Sequence, residues 1–284
     1  MAKPENRPDA PSPSGPADSN PPPGVEEFAS SQSGETPACG PLLLTCLGLL
    51  AGPLAWLLIM QFGGFFKLPE GFIPLDFAER FAFMMDPENN RAVQELLAKI
   101  NYQNTLLTLA IVGAALAGVF GLGGGIRRKS IRAMVTGTTT GMVLGAVLGV
   151  LTGIVVQFTE RQLQPFLGTD LFGTTFTFSL MYLTLALHAM TWSMIGIAVG
   201  LAIAIPTSQD RVIGRSVVAA ITAGPFAAYL FMLLGVFLVW LFNNPNPDHI
   251  IPAGAVNRLC WTTVAAVMMG LFVGTFGRLQ GAKT

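Results

Sequence analysis

Six stretches of this chain are apolar over a length that matches a lipid bilayer, and they carry no charge. They lie near 41–66, 104–125, 133–158, 177–205, 216–243 and 260–277, and none contains Asp, Glu, Lys or Arg. About 20 apolar residues in a helix cover the roughly 30 Å of hydrocarbon in a membrane. Backbone N–H and C=O groups find no water there, so each such run must satisfy them internally as a helix. The expected fold class is therefore all-α: a polytopic membrane helix bundle of about six transmembrane helices, glycine-rich and built from repeated two-helix hairpins. Charged residues make up 11% of the chain, against roughly 25% in soluble domains. So few charges cannot cover a globule of this size in water.

The first 39 residues differ from the rest. They hold nine prolines and one aromatic residue, Phe28. Such a segment cannot bury enough apolar surface to offset its ordering entropy, so residues 1–39 read as a disordered tail and 40–284 as the six-helix domain. No short basic start followed by an apolar run is present, so the tail does not read as a signal peptide.

Basic residues give the domain a direction. Arg127, Arg128, Lys129 and Arg132 fill the short loop after the second run, Arg211 and Arg215 the loop after the fourth, and Arg278 and Lys283 the C-terminal tail. With six spans, these regions and the N-terminal tail share one side, which holds ten of the sixteen Lys and Arg. Short loops rich in Lys and Arg stay in the cytoplasm. The expectation is a multi-pass protein of the cell membrane with both termini cytoplasmic.

One long connection, 67–103, lies on the other side. Asp86-Pro87-Glu88 is a helix start, with a capping carboxylate before proline at the first helical position. Ala92, Val93, Leu96, Leu97 and Ile100 follow at helical spacing, which predicts an amphipathic helix that runs into the second span. Phe77, Phe81 and Met84 share one face of a short interfacial helix ahead of it. The segment reads as a cap packed over the bundle rather than a lid, since it lacks a cluster of chemical groups.

Glycine is the strongest local pattern. Gly137, Gly141, Gly145, Gly149 and Gly153 recur every four residues in the third span. They form one ridge without side chains. Small residues let helix backbones approach where lipid supplies no hydrophobic drive to associate. Ala110, Ala114 and Gly118, then Gly196, Gly200 and Ala204, then Ala266, Gly270 and Gly274, repeat the spacing. All are read as helix-packing positions. Gly123, Gly124 and Gly125, beside the basic loop, read as a flexible turn, with an anion or lipid headgroup site as the rival.

The chain also resembles itself. Residues 129–136 match 215–222 in character, and Met194, Gly196, Val199 and Gly200 match Met268, Gly270, Val273 and Gly274 in spacing. Spans two and three then form one hairpin and spans four and five a second. Span six is the first half of a third, completed by span one, where Gly40-Pro41 and Trp56 have the spacing of Gly224-Pro225 and Trp240. This circular order requires span six to lie beside span one.

Chemistry is sparse. No span carries the acidic pair of an aspartyl protease, and zinc-helix, phosphate-loop and dinucleotide motifs are absent. Cys39, Cys46 and Cys260 show no metal-ligand spacing. No cofactor, metal site or catalytic set is expected, and the chain is read as not an enzyme. A net charge of zero argues against a nucleic-acid partner. His188 is the candidate inside a span for a group that changes charge near neutral pH, aligned with Thr184, Trp192, Gly196 and Gly200. It reads as a neutral histidine bonded to a neighbouring helix; the rival is a polar pathway made with Thr136, Thr139 and Thr140. Thr138 belongs to the same cluster, whose hydroxyls can bond within their own helix. Asp248-His249 is too small a set for a metal site, and Arg258 before Trp261 reads as an interface anchor.

Two functions follow. The leading one is a non-enzymatic membrane assembly or interaction component, with the lipid bilayer and a membrane protein or a second copy as partners. The alternative is a channel or carrier for a small neutral solute. A dry axis favours the first; a continuous polar cavity at His188 and the threonines favours the second.

Overall fold

The computed structural model describes residues 39–62, 64–69, 72–73, 76–163, 176–205, 210–242, 251–252 and 254–276. The tail 1–38 and the pair Asp248-His249 lie outside them. Seven helices follow in order among the described residues: α1 Cys39–Phe62, α2 Phe77–Met85, α3 Pro87–Arg127, α4 Ile131–Leu163, α5 Phe176–Ala204, α6 Asp210–Phe242 and α7 Ala255–Phe276. All but α2 are long and apolar enough to cross a membrane. The fold is the expected all-helical bundle.

Several boundaries move for local reasons. The first span stops at Phe62 rather than near 66; Gly64, at φ 81°, turns the chain where a helix would need negative φ. The last helix starts at Ala255, ahead of the apolar window, because Asn257 and Arg258 are helical although polar. The amphipathic segment and the second span are one helix of 41 residues. The Asp86 carboxylate caps it, accepting from the Glu88 amide at 3.0 Å and the Asn89 side chain at 3.1 Å. Asp76 caps α2 in the same way. The side-chain amide of Asn104 holds the preceding loop on α3, bonding both the N–H and the C=O of Phe66.

The Gly123–Gly125 run is not a turn. The helix continues through it to Arg127. Successive residues of a helix point about 100° apart, so the three glycines meet three different neighbours. A Cβ on Gly123 would strike Leu47 of α1, one on Gly124 would lie 2.8 Å from the Ile203 carbonyl oxygen of α5, and one on Gly125 would strike Met134 of α4. A run with low helix propensity is held helical because no side chain fits between these partners.

Six spans form a closed ring in chain order, each against the next, and α7 lies along α1. The closest pairs are α3 with α4, α5 with α6, and α7 with α1. In each pair two glycines four residues apart face the partner backbone. The first meets a carbonyl oxygen: Gly121 that of Gly137, Gly196 that of Ala220 at 2.5 Å, and Gly270 that of Leu44. The second meets a Cα: Gly125 that of Met134, Gly200 that of Val217 at 2.6 Å, and Gly274 that of Pro41 at 2.6 Å.

Helix α4 contributes backbone rather than side chains. Its buried residues are Gly137, Gly141, Gly145, Gly149, Thr152, Gly153 and Val156. Its bulky residues, among them Val143 and Phe158, point outward and are 64% and 63% exposed. Apolar outside and glycine inside suits a helix whose solvent is hydrocarbon. The interior is filled from the other spans, with Phe120, Trp192, Phe231, Trp261 and Met269 completely buried.

Candidate functional site

The histidine of α5 sits where three helices meet. His188 of α5 is fully buried. Trp261 of α7 donates its indole N–H to His188 Nδ1 at 3.1 Å. An indole nitrogen can only donate, so Nδ1 is an acceptor and the ring proton of a neutral imidazole lies on Nε2. The Phe231 ring of α6 meets His188 edge-on at 5.3 Å between centroids, and Trp192, one turn along α5, tilts against Trp261 at 4.5 Å. The Trp192 indole nitrogen is buried with no hydrogen-bond partner among the described residues. Aromatic edges and faces thus enclose the imidazole, and the Trp261–His188 hydrogen bond crosses from α7 to α5.

The threonines stand elsewhere. Thr136 and Thr139 are exposed on α4 near the basic loop. The Thr136 hydroxyl donates to the Arg132 carbonyl at 2.8 Å and that of Thr139 to the Val135 carbonyl at 2.9 Å. Each hydroxyl is spent on its own helix. Thr140 is half-buried. Gly141 of α4 stands against Ala202 of α5, about four helical turns along α5 from His188, so His188 and the threonine cluster are not brought together. Of the residues aligned with His188, Thr184 and Trp192 are buried beside it, while Gly196 and Gly200 pack on α6. Gly137, Gly141, Gly145 and Gly149 all face α3, and Gly270 and Gly274 face α1.

Arg258 is half-buried, and its guanidinium Nε donates to the Pro252 carbonyl at 3.0 Å, pinning the loop ahead of α7. The Trp56 indole donates to the Ala255 carbonyl at 2.9 Å and ties the end of α1 to the start of α7. Among the described residues, no three His, Cys, Asp or Glu side chains gather to hold a metal.

The bond to a neighbouring helix expected of His188 is present, and its partner, Trp261, is not one that the sequence singles out. A signal was present: an apolar span carries few N–H donors, and a tryptophan away from the interface needs an acceptor.

A second feature lies at the basic-loop end. An apolar groove of about 320 Å³ opens between the start of α6 and the end of α7, lined by Gly214, Arg215, Val218, Ala219, Thr222, Phe272 and Phe276. No protein-family profile, curated protein or solved structure matches the chain.

Proposed function

We propose that this chain is a non-enzymatic membrane assembly component, with both termini in the cytoplasm, built as three glycine-packed hairpins around a closed axis. The filled junction of α5, α6 and α7 carries this reading. Trp192, Trp261, Phe231 and His188 occupy the meeting point of α5, α6 and α7. A solute pathway would need polar groups lining a continuous opening, whereas the Thr136 and Thr139 hydroxyls bond to their own helix on its exposed side.

The repeat is supported by the packing register. Gly125, Gly200 and Gly274 meet a Cα of the partner helix, and Gly121, Gly196 and Gly270 a carbonyl oxygen. In that register Pro41 stands where Val217 does, and Gly48 where Gly224 does. The sequence match of Gly40-Pro41 with Gly224-Pro225 is displaced from it by two helical turns, and that of 129–136 with 215–222 by three residues. Glycine-rich helices offer several near-equivalent alignments, and only the contacts choose among them.

An assembly role has a surface to use. Helix α3 is about 60 Å long for its 41 residues, twice the hydrocarbon thickness. Its first turns and α2 therefore form an arm beyond the bilayer, where Phe81 and Met85 are 56% and 65% exposed.

The test combines cross-linking in native membranes with vesicle permeability. The expected result is a discrete cross-linked complex that Phe81→Asp with Met85→Asp abolishes at unchanged melting temperature. Reconstituted vesicles should pass glycerol and urea no faster than protein-free ones. Faster solute passage, or a single uncross-linked copy in native membranes, overturns the assembly reading.

A further inference from the structure

The six basic-loop residues that the fold gathers at one end do not all stand in equal surroundings. Among those whose side chains are described, Arg215 lines a groove. It is half-buried, near the start of α6. Above it, one wall is aromatic: Phe272 and Phe276 of α7 lie 5.3 Å apart between centroids, and Phe226 of α6 adjoins Phe272 at 5.1 Å. The other wall is small or branched, with Gly214, Val218 and Ala219. The groove exists because α6 and α7 belong to different close pairs, and Gly214 and Ala219 leave the seam unfilled. Val218 and Phe276 remain 63% and 52% exposed, so its open side faces the hydrocarbon that surrounds these spans. Its volume, about 320 Å³, lies within the range of small-molecule sites.

Charge decides the occupant. An apolar slot alone would take any acyl chain. Here it ends at the guanidinium of Arg215, and no carboxylate lines the groove among the described residues. A guanidinium presents a planar fork of five N–H donors that matches a phosphate. Basic pockets between spans at the membrane edge recognise anionic headgroups. We propose that the α6–α7 seam is a binding site for an anionic phospholipid, with an acyl chain along Phe272 and Phe276 and the phosphate on Arg215.

The experiment uses the full chain, reconstituted in equal parts phosphatidylglycerol and phosphatidylcholine, then extracted and washed in mild detergent. Lipid retained per protein is measured by mass spectrometry. Wild type should retain phosphatidylglycerol over phosphatidylcholine. Arg215→Gln should lower that preference by about fivefold, and Arg215→Lys should restore most of it. Val218→Trp, at an exposed position, should displace the lipid by filling the slot. Arg132→Gln, the same charge removed from an exposed site on α4, should leave retention unchanged.

Equal retention of both lipids overturns the proposal, as does an equal loss with Arg132→Gln, which would show a diffuse surface charge effect. Two other occupants are read out directly. Disulfide-linked copies of Val218→Cys in the membrane would place a second chain in the seam. Phosphatidylglycerol bound only after removal of 277–284 would place the chain's own tail there. Either result overturns the lipid assignment.

Discussion

Single residues in this protein are judged by what stands one van der Waals radius away. Gly145 and Gly214 are both helical glycines. A Cβ on Gly145 would enter the Gly113 carbonyl, whereas one on Gly214 meets nothing within 4 Å. Helix propensity favours alanine over glycine by about 1 kcal/mol in both, but backbone cannot yield as a flexible side chain does. Gly145→Val is expected to cost about 3 kcal/mol by forcing α3 and α4 apart. Gly214→Ala is expected to stabilise by about 0.5–1 kcal/mol. Chemical unfolding in detergent checks both, and equal effects at the two sites would contradict the packing. The His188–Trp261 bond is a second residue-scale test. Interhelical hydrogen bonds in membranes contribute about 0.6 kcal/mol on average and about 1.7 at most. A double-mutant cycle with His188→Phe and Trp261→Phe should return a coupling in that range; zero coupling would mean that the bond has no energetic role.

At the scale of elements, α3 carries two sequences under one set of backbone hydrogen bonds. Its first turns are polar on one side, with Arg91, Glu95 and Lys99 outward and Val93 and Ile100 buried. Its later turns lie in lipid. The join is continuous because no residue between Asn101 and Leu106 breaks a helix, and the Arg161 guanidinium of α4 sits 5.7 Å from the Tyr102 ring centroid to brace it. Lipid does not support the exposed turns, so their stability depends on the cap. Asp86→Ala should cost about 1 kcal/mol locally. Hydrogen exchange should quicken across residues 87–100 and stay unchanged in the spans. Exchange that quickens throughout the spans would mean that the arm and the bundle unfold together. Helix α4 is the opposite kind of element, since its neighbours recognise it by its backbone.

The six described spans form a ring in which the last helix meets the first. Gly274 near the end of α7 and Pro41 near the start of α1 touch through backbone atoms, so a short loop can join them. A circular permutant that begins at residue 251, links the end of α7 to Cys39 and ends near residue 242, without the first 38 residues, should fold and melt within a few degrees of the unpermuted domain. Aggregation of that permutant, with the unpermuted domain stable under the same conditions, would show that chain order matters more than the packing implies. The ring is not evenly filled. The inner contact of α3 with α5 is much more extensive than that of either with α7. The partial separation of α7 accompanies the groove at its seam with α6.

The sequence by itself determined the solvent and the elements. Charge-free runs of membrane length can only be helices, and the spacing of Gly137 through Gly153 could be read as a packing face because it depends on periodicity alone. The capped start at Asp86 and the continuous α3 were legible for the same reason, since both are local. Tertiary structure decided everything that depends on which surfaces meet. Gly123–Gly125 looked like a turn because propensity was all the sequence offered, and three neighbouring helices make it a helix end. A polar pathway of His188 with Thr136, Thr139 and Thr140 is the rival reading from sequence, and the depth at which α4 packs on α5, with Gly141 against Ala202, keeps them apart. The Trp261 partner of His188 and the Arg215 groove join residues 73 and about 60 positions apart. No local pattern encodes such pairings, because in a bilayer every apolar helix face is soluble and only the fit between backbones selects a partner.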